Sequence, residues 1–292
     1  ANLAETMPDN VLEPLGHKLF DQYTEYKESR SDWEETYRNG LELLGFKYER
    51  RTEPFRGASG VNHPVLAEAV TQFQAQAYKE LLPSDGPVRT QILGNPTVQK
   101  EDQAKRVKDF MNWQIMDQMK EYEPEFDQML FYLPLSGSTF KKVYYDALLG
   151  RAVSKFVPAD DLVVPYSANS LEDAEAVIQV IKISENELRK QQVSGFYRDI
   201  ELGDPPVIEN QLKETELRLE GISKDAQEDQ YALYEIHTDL DLEGYEDRDA
   251  DGEPTGIKLP YVITVAQSNQ KILSIRRNYR PDEKLRKKIN YF

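Results

Sequence analysis

The stretch that most constrains this chain is Glu125–Tyr166, EFDQMLFYLPLSGSTFKKVYYDALLGRAVSKFVPADDLVVPY. Phe126, Met129, Leu130 and Leu133 recur at i, i+3, i+4 and i+7, which predicts a helix with one apolar stripe. Pro134 and Ser136-Gly137-Ser138 are expected to stop it. β-Branched and aromatic residues then dominate Thr139–Asp146 and Arg151–Val157, joined by Ala147-Leu148-Leu149-Gly150, which predicts a hairpin. After Pro158-Ala159-Asp160-Asp161, the run Leu162–Tyr166 reads as extended.

On the N-terminal side, Leu15, Leu19, Tyr23, Tyr26, Arg30, Trp33, Tyr37, Leu41 and Leu44 recur every three or four positions. They describe one long helix or two in line, with Arg30 as the polar break. Ser31 and Glu34 form a capping-box pair that favours a restart, and Gly45 is expected to end it. A second helix is predicted from Pro64 to Pro83, with Leu66, Ala69, Val70, Phe73, Ala77 and Leu81 on its buried face. Val88–Leu93 reads as a short strand, and Val107, Phe110, Met111, Gln114, Ile115 and Met119 as an amphipathic helix.

Beyond Tyr166 the pattern predicts a short helix around Leu171–Ala174 and a strand over Val177–Ile183. A helix capped by Ser184 with Glu187 and ended by Gly195 follows. Asp204-Pro205-Pro206 breaks the chain, a charged helix spans Ile208–Gly221, and Ser223–Gln230 is polar enough to be mobile. In Tyr231–Leu240, Ala232, Tyr234, Ile236, Thr238 and Leu240 alternate onto one side. Ile257–Val265 and Lys271–Tyr279 complete an antiparallel sheet, with Gln267-Ser268-Asn269 as the turn. The fold class expected is α+β, long N-terminal helices packed against antiparallel strands and hairpins. In chain order, 1–135 is mainly helical and 136–200 holds a hairpin, a strand and a capped helix. An acidic mobile helix or linker fills 201–230, and 231–292 carries antiparallel strands and a basic tail.

The 292 residues suffice for a full core, and 39% apolar with 30% charged residues predicts a soluble, folded, surface-rich protein. No apolar run approaches the ~18–20 residues that cross a bilayer, and no leader pattern stands at the first residues, so neither membrane insertion nor secretion is expected. The absence of cysteine excludes disulfides, thiolate metal sites and thiol nucleophiles. His17, His63 and His237 lie far apart, which leaves little for histidine-based chemistry. A formal charge of −16, from 52 acids against 36 bases, argues against a general nucleic-acid binder.

Several motifs carry a chemical and a plainer alternative. Asp247, Asp249, Asp251 and Gly252 match the first half of a calcium loop, but Lys258 stands where the closing carboxylate belongs. An acidic hairpin tip is the favoured reading, with weak calcium binding as the other. Glu53–Gly60 before a helix N-terminus lacks the phosphate-loop signatures, and Ser136-Gly137-Ser138 lacks the glycines and the strand-to-helix order of a hydrolase elbow. Phe140-Lys141-Lys142-Val143-Tyr144-Tyr145 mixes bases with aromatics, as single-stranded nucleic-acid platforms do, or simply presents its lysines to solvent and acids. The basic tail Arg276, Arg277, Arg280, Lys284, Arg286, Lys287 and Lys288 is open between a neighbouring subunit's acidic surface, DNA, and solvent. No catalytic constellation and no cofactor site emerges, so no enzyme is expected.

The segments FYLPLSGSTFKKVYYD, FVPADDLVVPY and SENELRKQQVSGFYRDIEL resemble the wing region of phage portal proteins, most closely those of short-tailed phages. EPFRGASGVNHPVLAEAVTQFQAQAYKELLP and the GIKLPYVITV–ILSIRRNY pair extend the likeness in the same order over nearly the whole chain. The resemblance implies a ring of subunits, usually twelve, at one capsid vertex of the virion, assembled in the host cytoplasm. Double-stranded DNA enters and leaves through such a ring. The implied partners are further copies of the chain, the major capsid protein, the terminase motor, and head–tail adaptor and tail proteins, with no membrane. Hydrolysis belongs to the motor, so the portal itself would carry no catalytic residue and no cofactor. An acidic chain suits a conduit to which DNA must not stick. The family continues into stem, clip and crown, which the sequence is expected to lack. The other readings are a head–tail adaptor with a similar α+β unit and a metal-dependent hydrolase using the acids of Asp239–Asp251.

Overall fold

In the computed structural model the described residues are 2–44, 63–146, 149–203 and 230–292, together with Phe55, Arg56, Ala58 and Thr215. They form an α+β fold. The chain divides into two compact units, Ala1–Arg38 with Asp160–Ile289, and Asn39–Ala159 with Asn290–Phe292. Gly45, most of the Glu53–Gly60 loop and the predicted Ile208–Gly221 helix lie outside the described residues.

The first unit is built on a five-stranded antiparallel sheet in the order β3-β4-β5-β6-β7. Its strands are Leu162–Val163, Ala176–Ser184, Gln230–Leu240, Leu259–Ala266 and Ile272–Arg277. A single 3-10 turn, Leu3–Glu5, precedes α1, Asp9–Ser29, whose Leu12, Leu19 and Tyr26 are buried with Ala176, Ile178, Tyr234, Ile236, Tyr261 and Ile263 of one sheet face. Tyr23 of α1 stacks on Tyr234 at 4.1 Å between ring centroids. The other face carries Ile183, Tyr231, Leu233 and Leu273, covered by Leu188 of α6 (Glu185–Val193), Tyr197 and Leu202. β5 is therefore buried on both sides, not on the single side its alternation predicts, because α1 and α6 with the segment behind it supply cover to each.

The edge of β7 is closed by side chains and loop backbone. Asn2 accepts from Ile275 N–H and donates to Leu273 O, and Arg198 N–H donates to the same carbonyl. Such capping leaves no free strand edge there for a foreign strand.

α1 and α2 (Ser31–Leu44) are indeed two helices in line. The break at Arg30 coincides with a buried guanidinium that donates to Leu162 O, Asp160 O and Glu34 Oε1, two of them far away in sequence. The Ser31–Glu34 box does not form as expected. Glu34 N–H donates to Arg30 O, and the Glu34 carboxylate takes Arg30 and Lys27, so Arg30 occupies the capping position. The Ser184 cap of α6 does form, with its hydroxyl accepting from Glu187 N–H. Around Leu171–Ala174 there is one turn, tied by Ala174 N–H to Ser170 O, rather than a helix.

The second unit contains α3 (Val65–Leu81), α4 (Val98–Trp113) with a π-helical turn at Gln114–Gln118, α5 (Tyr122–Ser136), and the hairpin β1–β2 (Phe140–Asp146, Arg151–Val157). α5 runs through Pro134 and is ended instead by Gly137, in the left-handed region at φ 77°, whose N–H donates to Leu133 O. Proline removes one donor but does not prevent the last turn, whereas a residue at positive φ does end it. Phe126 and Leu130 of α5 pack with Leu82 and, at the edges, Ala77, Tyr78 and Tyr122. Along the outer edge of β2, Glu125 accepts from Phe156 N–H, and one turn earlier Glu121 holds Arg151 at 2.6 Å. Backbone amide contact and the guanidinium together hold the Glu121 carboxyl below the usual carboxylate range, the Arg151 bond being the larger cause.

Two expectations fail in this unit. Val88–Leu93 forms no strand: Val88 N–H donates to Asn112 Oδ1, and Asn112 Nδ2 returns to Val88 O and Asp85 O, so a side-chain amide takes the place of a strand partner. The predicted buried faces are also largely open. In α3 only Val70 is buried, while Phe73 and Leu81 are exposed; α4 buries no residue, with Val107, Phe110 and Met111 exposed, and Gln114, Ile115 and Met119 beyond them are half-buried.

Candidate interaction surface

The basic segment is a folded loop, not an arm. β7 ends at Arg277, Asn278 N–H donates to Pro260 O, and the chain then doubles back. Arg280 N–H donates to Arg286 O at 3.0 Å and Lys288 N–H to Asn278 O at 3.1 Å, with Tyr279 opposite Lys287. Pro281 and Asp282 lie at the tip of this 278–288 loop.

Most of its cations meet internal partners. Arg276 lies 4.1 Å over the Phe196 ring and donates to Phe196 O, and burial draws its pKa below the ordinary guanidinium value. Arg277 donates to Tyr245 O at 2.8 Å. Arg280 stands between Asp282 at 3.5 Å and Glu172 at 3.8 Å, and Arg286 pairs with Glu283 at 3.2 Å. Lys287 is the most enclosed, its side chain 8% exposed, with Nζ 2.8 Å from Asp239 Oδ2 and 3.4 Å from Glu175 O. Lys284 and Lys288 are exposed. Exposed single ion pairs such as Arg286–Glu283 contribute only about 0–1 kcal/mol, whereas the enclosed Lys287–Asp239 contact fixes position.

The residues that seat the loop are absent from the sequence expectations. Asn278 Nδ2 lies 2.8 Å from His237 Nδ1 and 3.0 Å from Lys288 O, and His237 Nε2 lies 3.0 Å from Glu235 Oε1. His237 is 3% exposed, in the middle of β5. No signal in the sequence joins His237 to Asn278, since a strand pairing across β6 is needed before the two can be neighbours.

In the second unit the basic–aromatic strand divides its two lysines between opposite faces. Lys141 is buried, with Nζ 3.6 Å from the Tyr122 ring centroid, 4.7 Å from that of Phe126 and no hydrogen-bond partner among the described residues. Burial lowers its pKa to about 8, against a smaller opposing pull from Glu125. Lys142 lies near the Tyr144 and Tyr291 rings, at 5.9 and 5.4 Å. Asn290–Phe292 lies along the free edge of β1: Lys141 N–H donates to Phe292 O, Phe292 N–H to Lys141 O, and Val143 N–H to Asn290 O. Lys141, Val143 and their aromatic neighbours are thus engaged in packing and pairing rather than laid out as a stacking platform.

The Asp247–Asp251 segment lies in the connection between the antiparallel strands β5 and β6. Asp249 Oδ1 accepts from Asp251 N–H and Glu253 N–H, Asp247 Oδ2 accepts from the Thr255 hydroxyl, and Arg248 is bridged to Pro254. These carboxylate oxygens hold the turn together. Ser136 Oγ donates within its own turn, to Tyr132 O or Ser138 O. Among the described residues, no group of three or more His, Cys, Asp or Glu is placed to hold a metal ion, and no helix is long and apolar enough to cross a membrane.

No protein-family model and no curated protein sequence matches the chain.

Proposed function

We propose that this chain is the wing portion of a portal protein of a short-tailed phage. In this reading it is one subunit of a ring at the capsid vertex, usually a dodecamer, through which double-stranded DNA is packaged and ejected. Its partners are neighbouring copies, the major capsid protein, the terminase motor and the head–tail adaptor or tail proteins, and it works without a catalytic residue or cofactor of its own. The observation that carries the reading is the order of the portal-like segments, from EPFRGASGVNHPVL through FYLPLSGSTFKKVYYD and FVPADDLVVPY to GIKLPYVITV and ILSIRRNY. The α+β architecture is compatible with it, and the exposed Val107, Phe110, Met111 and Trp113 of α4 offer apolar surface of the kind that associating subunits use.

Negative-stain imaging of the protein expressed from its natural gene tests this directly. Closed rings with a central hole support the reading, and isolated particles at every concentration up to the millimolar range overturn it. ATP or DNA hydrolysis by the purified protein, abolished by a point substitution such as Asp249→Ala, would show that the non-catalytic part of the proposal is wrong.

A further inference from the structure

We propose that His237 is a proton-operated latch on the basic loop 278–288. The proposal is independent of the portal reading and rests on the hydrogen-bond polarity around one buried ring.

A neutral imidazole has one donor nitrogen and one acceptor. Nε2 faces the Glu235 carboxylate at 3.0 Å, which only accepts, so the proton sits on Nε2. Nδ1 is then the acceptor, and the amide of Asn278 meets it with Nδ2 at 2.8 Å. The same Nδ2 donates its other hydrogen to Lys288 O at 3.0 Å. One side-chain amide therefore fastens β5 to both ends of the loop, and it does so only while Nδ1 is bare.

A second proton can go only to Nδ1. Two donors then face each other across 2.8 Å. Turning the amide over would set Asn278 Oδ1 on the new N–H, but would also set it against Lys288 O, which cannot donate. Either way one of the two fastenings is lost. Lowering the pH is what delivers that second proton, and with it the loss of one fastening.

The other charged groups around the ring are accounted for among the described residues. Glu235, on the same strand, receives Nε2–H in both protonation states. Asp239 is held by Lys287 at 2.8 Å, and the Glu175 carboxylate accepts from the Tyr26 hydroxyl instead. Arg276, across β6 in register with His237 through Val262, turns its guanidinium to Phe196. Because the Lys287–Asp239 contact survives, the loop loosens at Asn278 and Lys288 rather than detaching.

Amide hydrogen exchange on the full chain reads this out at Lys288, whose N–H donates to Asn278 O, and at Arg280, whose N–H donates to Arg286 O. Corrected for intrinsic rates, protection at both should fall about tenfold between about pH 7.5 and about pH 5, the scale of one net hydrogen bond. In His237→Asn, whose Oδ1 can replace Nδ1 as a permanent acceptor, protection should be the same at both pH values. Asn278→Asp should reverse the sign, because a carboxylate repels bare Nδ1 and binds Nδ1–H. Equal protection of the parent at both pH values overturns the latch, and so does an undiminished fall in His237→Asn. If His237→Asn does not fold, the sign in Asn278→Asp decides alone: a fall toward low pH like the parent's overturns it.

Discussion

Side chains of the same kind meet opposite fates in the two units. In the first, the stripe Leu12, Leu19 and Tyr26 of α1 is covered by a sheet whose central strand is buried on both faces. In the second, Val107, Phe110 and Met111 of α4 lie on the face that its spacing marks as apolar, and all three stand open, while Ile115 and Met119 just beyond it are half-buried. Periodicity states which side of a helix prefers to leave water. It does not state whether the chain supplies something to lie against that side. A sheet with two apolar faces does; in the second unit the cover reaches Phe126 and Leu130 of α5, Val70 of α3 and Val153 and Val157 of the hairpin, and leaves α4 open.

The contrast can be broken most sharply by truncation. Leu19→Ala should cost about 2–5 kcal/mol, since a fully buried leucine leaves a cavity as well as lost transfer energy. The two tryptophans make the comparison measurable unit by unit: Trp33 belongs to the first and Trp113 to the second. With Trp113 replaced by Phe, the denaturant transition reported by Trp33 should move strongly in Leu19→Ala. A change under about 0.5 kcal/mol would show that α1 does not stabilise the sheet face it covers.

A smaller effect is expected at Gly16, where α1 comes closest to the β6–β7 turn. A Cβ there would stand 2.2 Å from Gln270 O, a backbone atom, at a residue already held at φ 57°. Gly16→Ala should therefore destabilise the first unit by about 1–3 kcal/mol, despite the better helix propensity of alanine. Thermal unfolding of the Trp33-only protein measures it, and a gain in stability would mean that the turn gives way freely.

How much of this was legible in the sequence divides along physical lines. The hairpin of Phe140–Val157, the Ser184 cap of α6 and the β5–β6–β7 meander follow from local chemistry, and each is present near its expected bounds. Some misses are local, such as the single turn at Leu171–Ala174 and the helix that runs through Pro134, and others needed a distant partner. Val88–Leu93 reads as a short strand in the sequence, yet the Val88 backbone is satisfied by Asn112. The break at Arg30 is marked in the sequence, but the Asp160 and Leu162 carbonyls that take its guanidinium are not. The basic tail was visible as charge, but its seating on His237, Asp239 and Glu175 was not, since pairing across a sheet leaves no trace in residue spacing.

Lys141 sharpens the comparison from the other side, as the one buried cation in the second unit's small core without a hydrogen-bond partner among the described residues. Its folded pKa, about 8, lies below the ordinary lysine value. Between the two values the unfolded chain holds more protons, so stability rises with pH there, while below about 8 both states are charged and the full burial cost applies. The Tyr122 and Phe126 rings offset part of that cost. Lys141→Met should thus be more stable by about 1 kcal/mol near neutral pH, with the gain shrinking from about pH 8 to 9.5, before tyrosines titrate. Denaturation of the Trp113-only protein across that range checks the sign; a gain independent of pH would assign the effect to packing alone.

The smallest expected effect is the one on which the contrast depends. Phe110 is 56% exposed and makes a tilted ring contact with Trp113 at 5.8 Å. Phe110→Ser removes a large apolar side chain from α4 without opening a cavity, so the second unit's stability should change by no more than about 0.5 kcal/mol. If the face is apolar because copies of the chain meet there, self-association measured by light scattering should weaken even though the fold does not. A stability loss above about 1 kcal/mol would mean that α4 is packed against its own chain. The difference between the two units would then be one of degree, and the apolar stripe of α4 would belong to the core, as its spacing first suggested.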